Sequence, residues 1–320
     1  MNLQAEKRAV RPWAALYIGL PLATLCVMAA LLWSGAQEES PILASAGEYA
    51  VLRGAPALTG GETVISRQTL LKGTLLLVSP AHPLPADYPP PDTRTVRALV
   101  GGYLSAEEDT ALCREAIYSL CALQTEHPLT GAVFENGAVS AAQQEQARRE
   151  AFSRFQQVYP LAQALEKARA AVPGGGESEH QTGCAVDVTL TGPLSMGYAD
   201  PLARSEEGRW LRDNLWRYGF IRRFANGEED GACEGIHLRY VGPLHAAALH
   251  ALNTTLEEYL ALLRREGALT LMKDGRPAAY LYCAPCLGDW HLPLPEGAEA
   301  QCSADNTGWA VAAVPVKQAP

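Results

Sequence analysis

The sequence predicts an α+β fold: an antiparallel sheet that carries the reactive side chains, with helices packed on one side of it. A single membrane-crossing helix precedes this body, and a small β appendage follows it. Three observations predict this arrangement. An uncharged apolar stretch runs from Pro12 to Ala36. The middle of the chain mixes helix-spaced apolar residues with short alternating runs, and the last fifty or so residues turn to hairpin signals.

The N-terminal stretch is long enough to cross a bilayer as a helix. Lys7, Arg8 and Arg11 precede it, while Glu38 and Glu39 follow. That asymmetry leaves residues 1–11 as a cytoplasmic tail and places the rest outside. Trp13 and Trp33 sit where aromatic belts form, and Pro21 is tolerated in a membrane span. A cleaved signal peptide ending at Ser34-Gly35-Ala36 is the competing reading, and the length of the span favours a retained anchor over 12–36. The expectation is a single-pass protein of the cell membrane with its body extracytoplasmic. The chain has 320 residues, 48% of them hydrophobic, which is ample for a packed core. A net charge of −9 without a basic stripe excludes nucleic acid as the partner.

Residues 37–70 are mixed and read as a stalk or a small β element. Gly73–Val78 is a short apolar run with the look of a buried strand, and the Pro-rich stretch from His82 is a loop. Ser105 starts a helix with Glu107 and Glu108 in its first turn and Leu112, Ala116, Leu120 and Leu123 on one face. Further helices span Ser140–Tyr159 and Leu161–Ala171, stopped by Gly174-Gly175-Gly176. Cys184–Leu190 alternates as a strand, with Ala185, Asp187 and Thr189 on one face and Val186 and Val188 on the core side. Trp210, Leu211, Asn214 and Leu215 lie on a helix that exits through Tyr218-Gly219-Phe220. Gly227–Gly231 is a loop, and Glu234–Tyr240 returns as a strand. Thr255 and Glu258 form a capping box for a helix over Leu256–Glu266. Beyond Gly267, Asp274-Gly275 marks a hairpin and Gly308–Val314 a strand, so 268–320 is the β appendage.

Two segments carry the chemistry. Ser178–Val188 offers His180 and Asp187, and Cys233–Gly242 offers Glu234 and His237 at i, i+3. Two neutral imidazoles and one carboxylate are the ligands of a catalytic zinc with a fourth position open to water, and a carboxylate outside that set serves as general base. Strict strand alternation puts Glu234 and His237 on opposite faces, so a bend at Gly235 is needed.

The segments resemble the VanY-type D-alanyl-D-alanine carboxypeptidases, within the larger hedgehog/DD-peptidase group. Ser178, His180, Gly183, Ala185, Val186 and Asp187 match that family's first motif. Glu234, His237, Leu238, Arg239, Tyr240, Val241 and Gly242 match its second. The resemblance covers about 71–267. It implies a hedgehog/DD-peptidase-like catalytic domain holding Zn2+ on His180, Asp187 and His237, with Glu234 as general base. The implied reaction removes a C-terminal D-alanine from the peptidoglycan stem peptide.

For the substrate, the resemblance singles out Ser140 and Gln144. Ser178 either meets substrate or fixes its loop, and Arg239 either binds substrate or packs. The family's Gly-Tyr-Arg-Ser segment reads Gly137-Ala138-Val139-Ser140 here, so its Arg becomes Val139, and Arg148, Arg149 or Arg204 would have to supply the cation. That substitution keeps open an L,D-carboxypeptidase or endopeptidase of the same fold, besides a wall-binding module that holds zinc without turnover.

Of eight cysteines, Cys26 lies in the span. The remaining seven are odd in number, so at least one stays unpaired or pairs between chains. Cys113 and Cys121 are too far apart along a helix to bridge, and Cys184 with Cys233 is a candidate pair. Cys283-x-x-Cys286 with His291 and Cys302 gives a partial structural zinc spacing.

Overall fold

The computed structural model describes residues 41–190, 205–224 and 236–317. The stretch 12–36 lies outside them, and among the described residues no helix is long and apolar enough to cross a membrane. In chain order the strands are β1 (Ile42–Ala46), β2 (Tyr49–Arg53), β3 (Gly61–Ile65), β4 (Thr93–Thr95), β5 (Ala111–Cys113), β6 (Ala132–Glu135) and β7 (Ala185–Leu190). They continue as β8 (Phe220–Arg222), β9 (Ile236–Tyr240), β10 (Ala268–Lys273), β11 (Arg276–Pro285), β12 (Trp290–Leu294), β13 (Gln301–Ala304) and β14 (Trp309–Pro315).

The functional sheet has four strands in the order β6-β7-β9-β8, each pair antiparallel. Side chains alternate across a strand, so β7 sends Val186 and Val188 one way and Asp187 the other. The apolar face, with Phe134, Val186, Val188, Phe220, Ile236, Leu238 and Tyr240, packs on Ile117, Leu120 and Leu123 of the helix Arg114–Glu126. Each aliphatic side chain so buried contributes about 1.5–3 kcal/mol. The opposite face keeps Asp187, His237 and Arg239.

The helix expected from Ser105 starts later. Leu112 sits on β5, paired with β4, and Cys113 caps the helix that begins at Arg114. The helices Ala141–Gln156 and Leu161–Ala171 fall where expected. Ser140 closes a capping box on Gln143, and the chain between the two helices breaks before Pro160.

The stretch 37–70 is not a stalk where it is described. β1 and β2 join β10, β11, β14 and β13 in a six-stranded sheet of order β1-β2-β10-β11-β14-β13, and β3 pairs with β12. The expected β appendage is therefore part of a larger body: it supplies four of the six strands of this sheet, and the other two come from before the catalytic segment. One face of this sheet packs on the helices Pro243–Leu252 and Leu256–Glu266 through Val51, Leu269, Leu281 and Val311 against Ala246, Leu249, Tyr259 and Leu263. The other face is covered through Leu70, Trp290, Leu292 and Leu294. The hairpin at Asp274-Gly275 forms with both residues at positive φ, 48 and 74°, as a two-residue turn between twisted strands demands.

Gly73–Val78 is buried as expected, but it is not a ladder strand. Side chains from other segments take its backbone groups: Ser303 Oγ accepts from Leu75 N at 3.0 Å, Arg239 Nη2 donates to the Thr74 carbonyl at 3.0 Å, and Asn306 Nδ2 donates to the Leu77 carbonyl at 2.9 Å. These bonds satisfy polar groups that a neighbouring strand would otherwise have to meet.

Candidate metal centre

The register of β7 on β9 places Asp187 directly opposite His237. Their side chains meet on the face away from the core, Asp187 Oδ1 lying 2.9 Å from His237 Nδ1. His180 comes from the short 3-10 turn Glu179–Thr182 that leads into β7, after which Gly183 reverses the chain at φ +71°. His180 Nε2 stands 3.6 Å from Asp187 Oδ1, and the two imidazoles cross at 75° with centroids 4.8 Å apart. One donor atom from each of the three lies within 4.8 Å of the others, the arrangement needed to hold a metal ion.

The tautomers are set from behind. His180 Nδ1 donates to the Gly137 carbonyl at 2.9 Å, which leaves Nε2 as a lone-pair donor facing Asp187. His237 Nε2 faces Glu179 Oε2 at 3.4 Å, so with its proton there Nδ1 is the donor on the Asp187 side. Burial and the neighbouring His237 push His180 below the usual imidazole range. Burial also pulls His237 down, but the Asp187 and Glu179 carboxylates outweigh it and raise His237 to about 9.

Glu179 is a functional residue that the motif reading missed, because it fills a variable position between Ser178 and His180. Its side chain is 5% exposed. Burial raises its pKa, but Arg239 and Arg223 more than offset that and hold the carboxyl well below its usual range. Arg223 Nε donates to Glu179 Oε1 at 2.8 Å, Arg239 Nη1 stands 3.8 Å from Oε2, and Arg223 also clamps Glu257. A charged residue next to a ligand histidine, ahead of a tight turn, was the available signal.

The three donors line a cleft of 380 Å³ with Val78, Val139, Gln144, Ser178 and Phe224. Ser178 is on its wall, and its hydroxyl does not cap the turn. Gln144 is there too, its Nε2 donating to the Pro173 carbonyl at 2.9 Å. Val139 presents an isopropyl group where the family pattern has Arg. Two substrate expectations need correction. The Ser140 hydroxyl is committed to its capping box, and Arg239 is fully buried beneath the cleft, holding the carbonyls of Thr74 and Leu76. Arg148, offered as a compensating cation, is engaged by Glu145 at 2.7 Å and Glu177 at 3.6 Å. Arg149 bonds Gln146. Glu234, Gly235, Arg204 and Cys233 lie outside the described residues. The partial zinc spacing near Cys283 does not converge: Cys283 faces the helix-covered core, Cys302 packs on the other side of the sheet, and His291 bonds Glu62.

Two imidazoles and a carboxylate, all buried or nearly so and oriented from behind, match the nitrogen and oxygen donors that a divalent zinc ion prefers, and the residues present fit it. Fold and site together define the class: a mixed α/β metal-site domain built on antiparallel sheets. Within that class, residues 105–243 match the family model of VanY, D-alanyl-D-alanine carboxypeptidase. A D-alanyl-D-alanine carboxypeptidase of Enterococcus faecium is 25% identical over 255 residues, 77% of this chain and 76% of its own length. One of Enterococcus faecalis is 39% identical over 105 residues, and there the match spans 32% of this chain and 37% of the relative. The crystal structure of the vancomycin resistance D,D-dipeptidase VanXYg, in complex with a D-Ala-D-Ala phosphinate analog, superposes with a TM-score of 0.62 at 20% identity. It covers 80% of this chain and 100% of its own, a likeness of fold.

Proposed function

We propose that this protein is a membrane-anchored, extracytoplasmic zinc peptidase that removes the C-terminal D-alanine from peptidoglycan stem peptides. The observation that carries the reading is the convergence of His180, Asp187 and His237 within 4.8 Å on the wall of an open cleft. A bound zinc ion supplies Lewis acidity there, acidifying water and polarising the scissile carbonyl. His180, Asp187 and His237 hold it. Glu234 takes the proton from water and passes it to the departing amine. Gln144 and Ser178 line the peptide's path, and the apolar wall of Val78, Val139 and Phe224 thins the water around the reacting bond. The apolar span at 12–36 and the basic residues before it support the membrane position and its orientation.

Val139 favours a second reading. An isopropyl group cannot pair with a terminal carboxylate, so an endopeptidase, whose internal cut presents no terminal carboxylate, fits that wall as well.

Purified protein incubated with defined stem peptides, with and without a chelator, separates the outcomes. Release of D-alanine that stops on chelation supports the first reading, and an internal fragment supports the second. Absence of any cleavage by zinc-loaded protein refutes both.

A further inference from the structure

We propose that Cys113 and Cys184 are a disulfide-forming pair, a covalent modification site behind the sheet that carries Asp187. Their sulfurs lie 3.9 Å apart although 71 residues separate them in sequence. The backbones are already locked together, since Cys113 N donates to the Gly183 carbonyl at 2.8 Å. Gly183 itself is wedged so tightly that a Cβ there would stand 2.5 Å from Thr93. A disulfide needs the sulfurs at about 2 Å, so side-chain rotation alone has to close the remaining gap.

Both cysteines line a cavity of 330 Å³, shared with Tyr88, Asp92, Glu115 and Gln301; Cys113 is partly exposed and Cys184 is 2% exposed, so a reagent must enter this cavity to meet the pair. The pair is also polarised. Cys184 accepts a hydrogen bond from the Cys113 thiol and, against its own burial, feels the charge of Arg239, which bring it down to about 7. The same hydrogen bond, with burial, pushes Cys113 up. A thiol titrating near neutrality is the competent nucleophile of exchange.

The oxidant is a small-molecule disulfide. The Cys184 thiolate attacks one of its sulfurs, breaks that S–S bond and expels a thiolate, which takes up a proton. Cys113 gives its proton to solvent and attacks the Cys184 sulfur of the mixed disulfide, expelling the second thiolate, which is protonated in turn. Two protein thiols are oxidised and one reagent disulfide is reduced to two thiols. The product ties the N-terminus of the helix Arg114–Glu126 to the strand that bears Asp187, closing a long loop in the unfolded chain.

The test equilibrates the full-length protein in an oxidising glutathione buffer, blocks free thiols and maps peptides without reduction. The expected result is a linked peptide pair containing Cys113 and Cys184. Reductant should then lower the melting temperature by roughly 5–10 °C, and Cys113→Ser should abolish that dependence. If both thiols stay open to alkylation, or if Cys184 is found joined to Cys233, the proposal is overturned. Mapping of the unmutated protein decides the question even where the variant does not fold.

Discussion

Glu179 Oε2 lies 3.4 Å from His237 Nε2, on the side of the imidazole away from Asp187. A buried acid, itself held by Arg223 and Arg239, thus orients one of the three donors from behind. Such a partner fixes the ring and raises its basicity, and losing it typically weakens metal binding by about 10–100-fold.

Glu179→Gln keeps the shape and removes the charge. Zinc affinity, read by competition with a chromogenic chelator, should fall about tenfold or more. The variant should also lose about 3–5 kcal/mol of stability, because the fully buried Arg239 is left with uncompensated charge while Arg223 retains only Glu257. Wild-type affinity together with wild-type stability would refute the positioning role.

Zinc itself should raise the melting temperature of the metal-depleted protein, since a ligand at a hundredfold excess over its dissociation constant adds about 2.7 kcal/mol. Asp187→Asn and His180→Ala should abolish that rise. Glu234→Gln should keep it and yet lower turnover by about 10²–10⁴-fold, which separates holding the ion from moving the proton. A Glu234→Gln protein that cleaves at the normal rate would remove Glu234 from the mechanism.

Gly137 offers its carbonyl to His180 and packs against β5, where an added Cβ would lie 2.3 Å from the Ala111 carbonyl oxygen. Gly137→Ala must move that backbone. The expected outcome is a loss of about 1–3 kcal/mol with weaker zinc binding, measured by denaturant unfolding and by the same chelator competition. Unchanged zinc binding in a folded variant would show that the carbonyl does not orient the ring.

His245 is buried in the helix Pro243–Leu252, its Nδ1 2.7 Å from the Tyr259 hydroxyl, and burial lowers its pKa to about 4. The unfolded chain, with a histidine near 6.5, binds the proton more tightly than the folded one. Stability from this group is therefore whole above about pH 6.5, falls as the pH drops, and is lost by about pH 4, a change of about 3 kcal/mol. Denaturant midpoints from pH 8 to 4 should show the slope, and His245→Gln should flatten it. An equal slope in the variant would assign the effect elsewhere.

The site was legible in the sequence because its parts are local: a strand whose alternation puts Asp187 opposite Val186 and Val188, and a histidine just before a glycine turn. The capping box at Thr255 and Glu258 and the turn at Asp274-Gly275 were readable for the same reason, since each is decided by neighbours within four residues. What escaped depends on distant partners. Strands β1 and β2 are short and of mixed character, and nothing near them announces β10. Gly73–Val78 has a strand's composition, yet Ser303, Arg239 and Asn306 meet its backbone in place of a ladder. Arg239 matches a motif position, but whether it faces the cleft or the interior depends on the segment packed behind it.

The pairing of Met272 with Ala50 and Leu269 with Arg53 brings together parts of the chain some 220 residues apart. A ribosome must therefore deliver almost the whole polypeptide before β2 gains this neighbour, and until then its open edge stays exposed to other molecules. Contacts this distant slow folding. Maturation of the protein is thus tied to completion of its C-terminal strands, and a nascent chain stalled before β10 holds every proposed zinc ligand without the sheet that closes the body behind them.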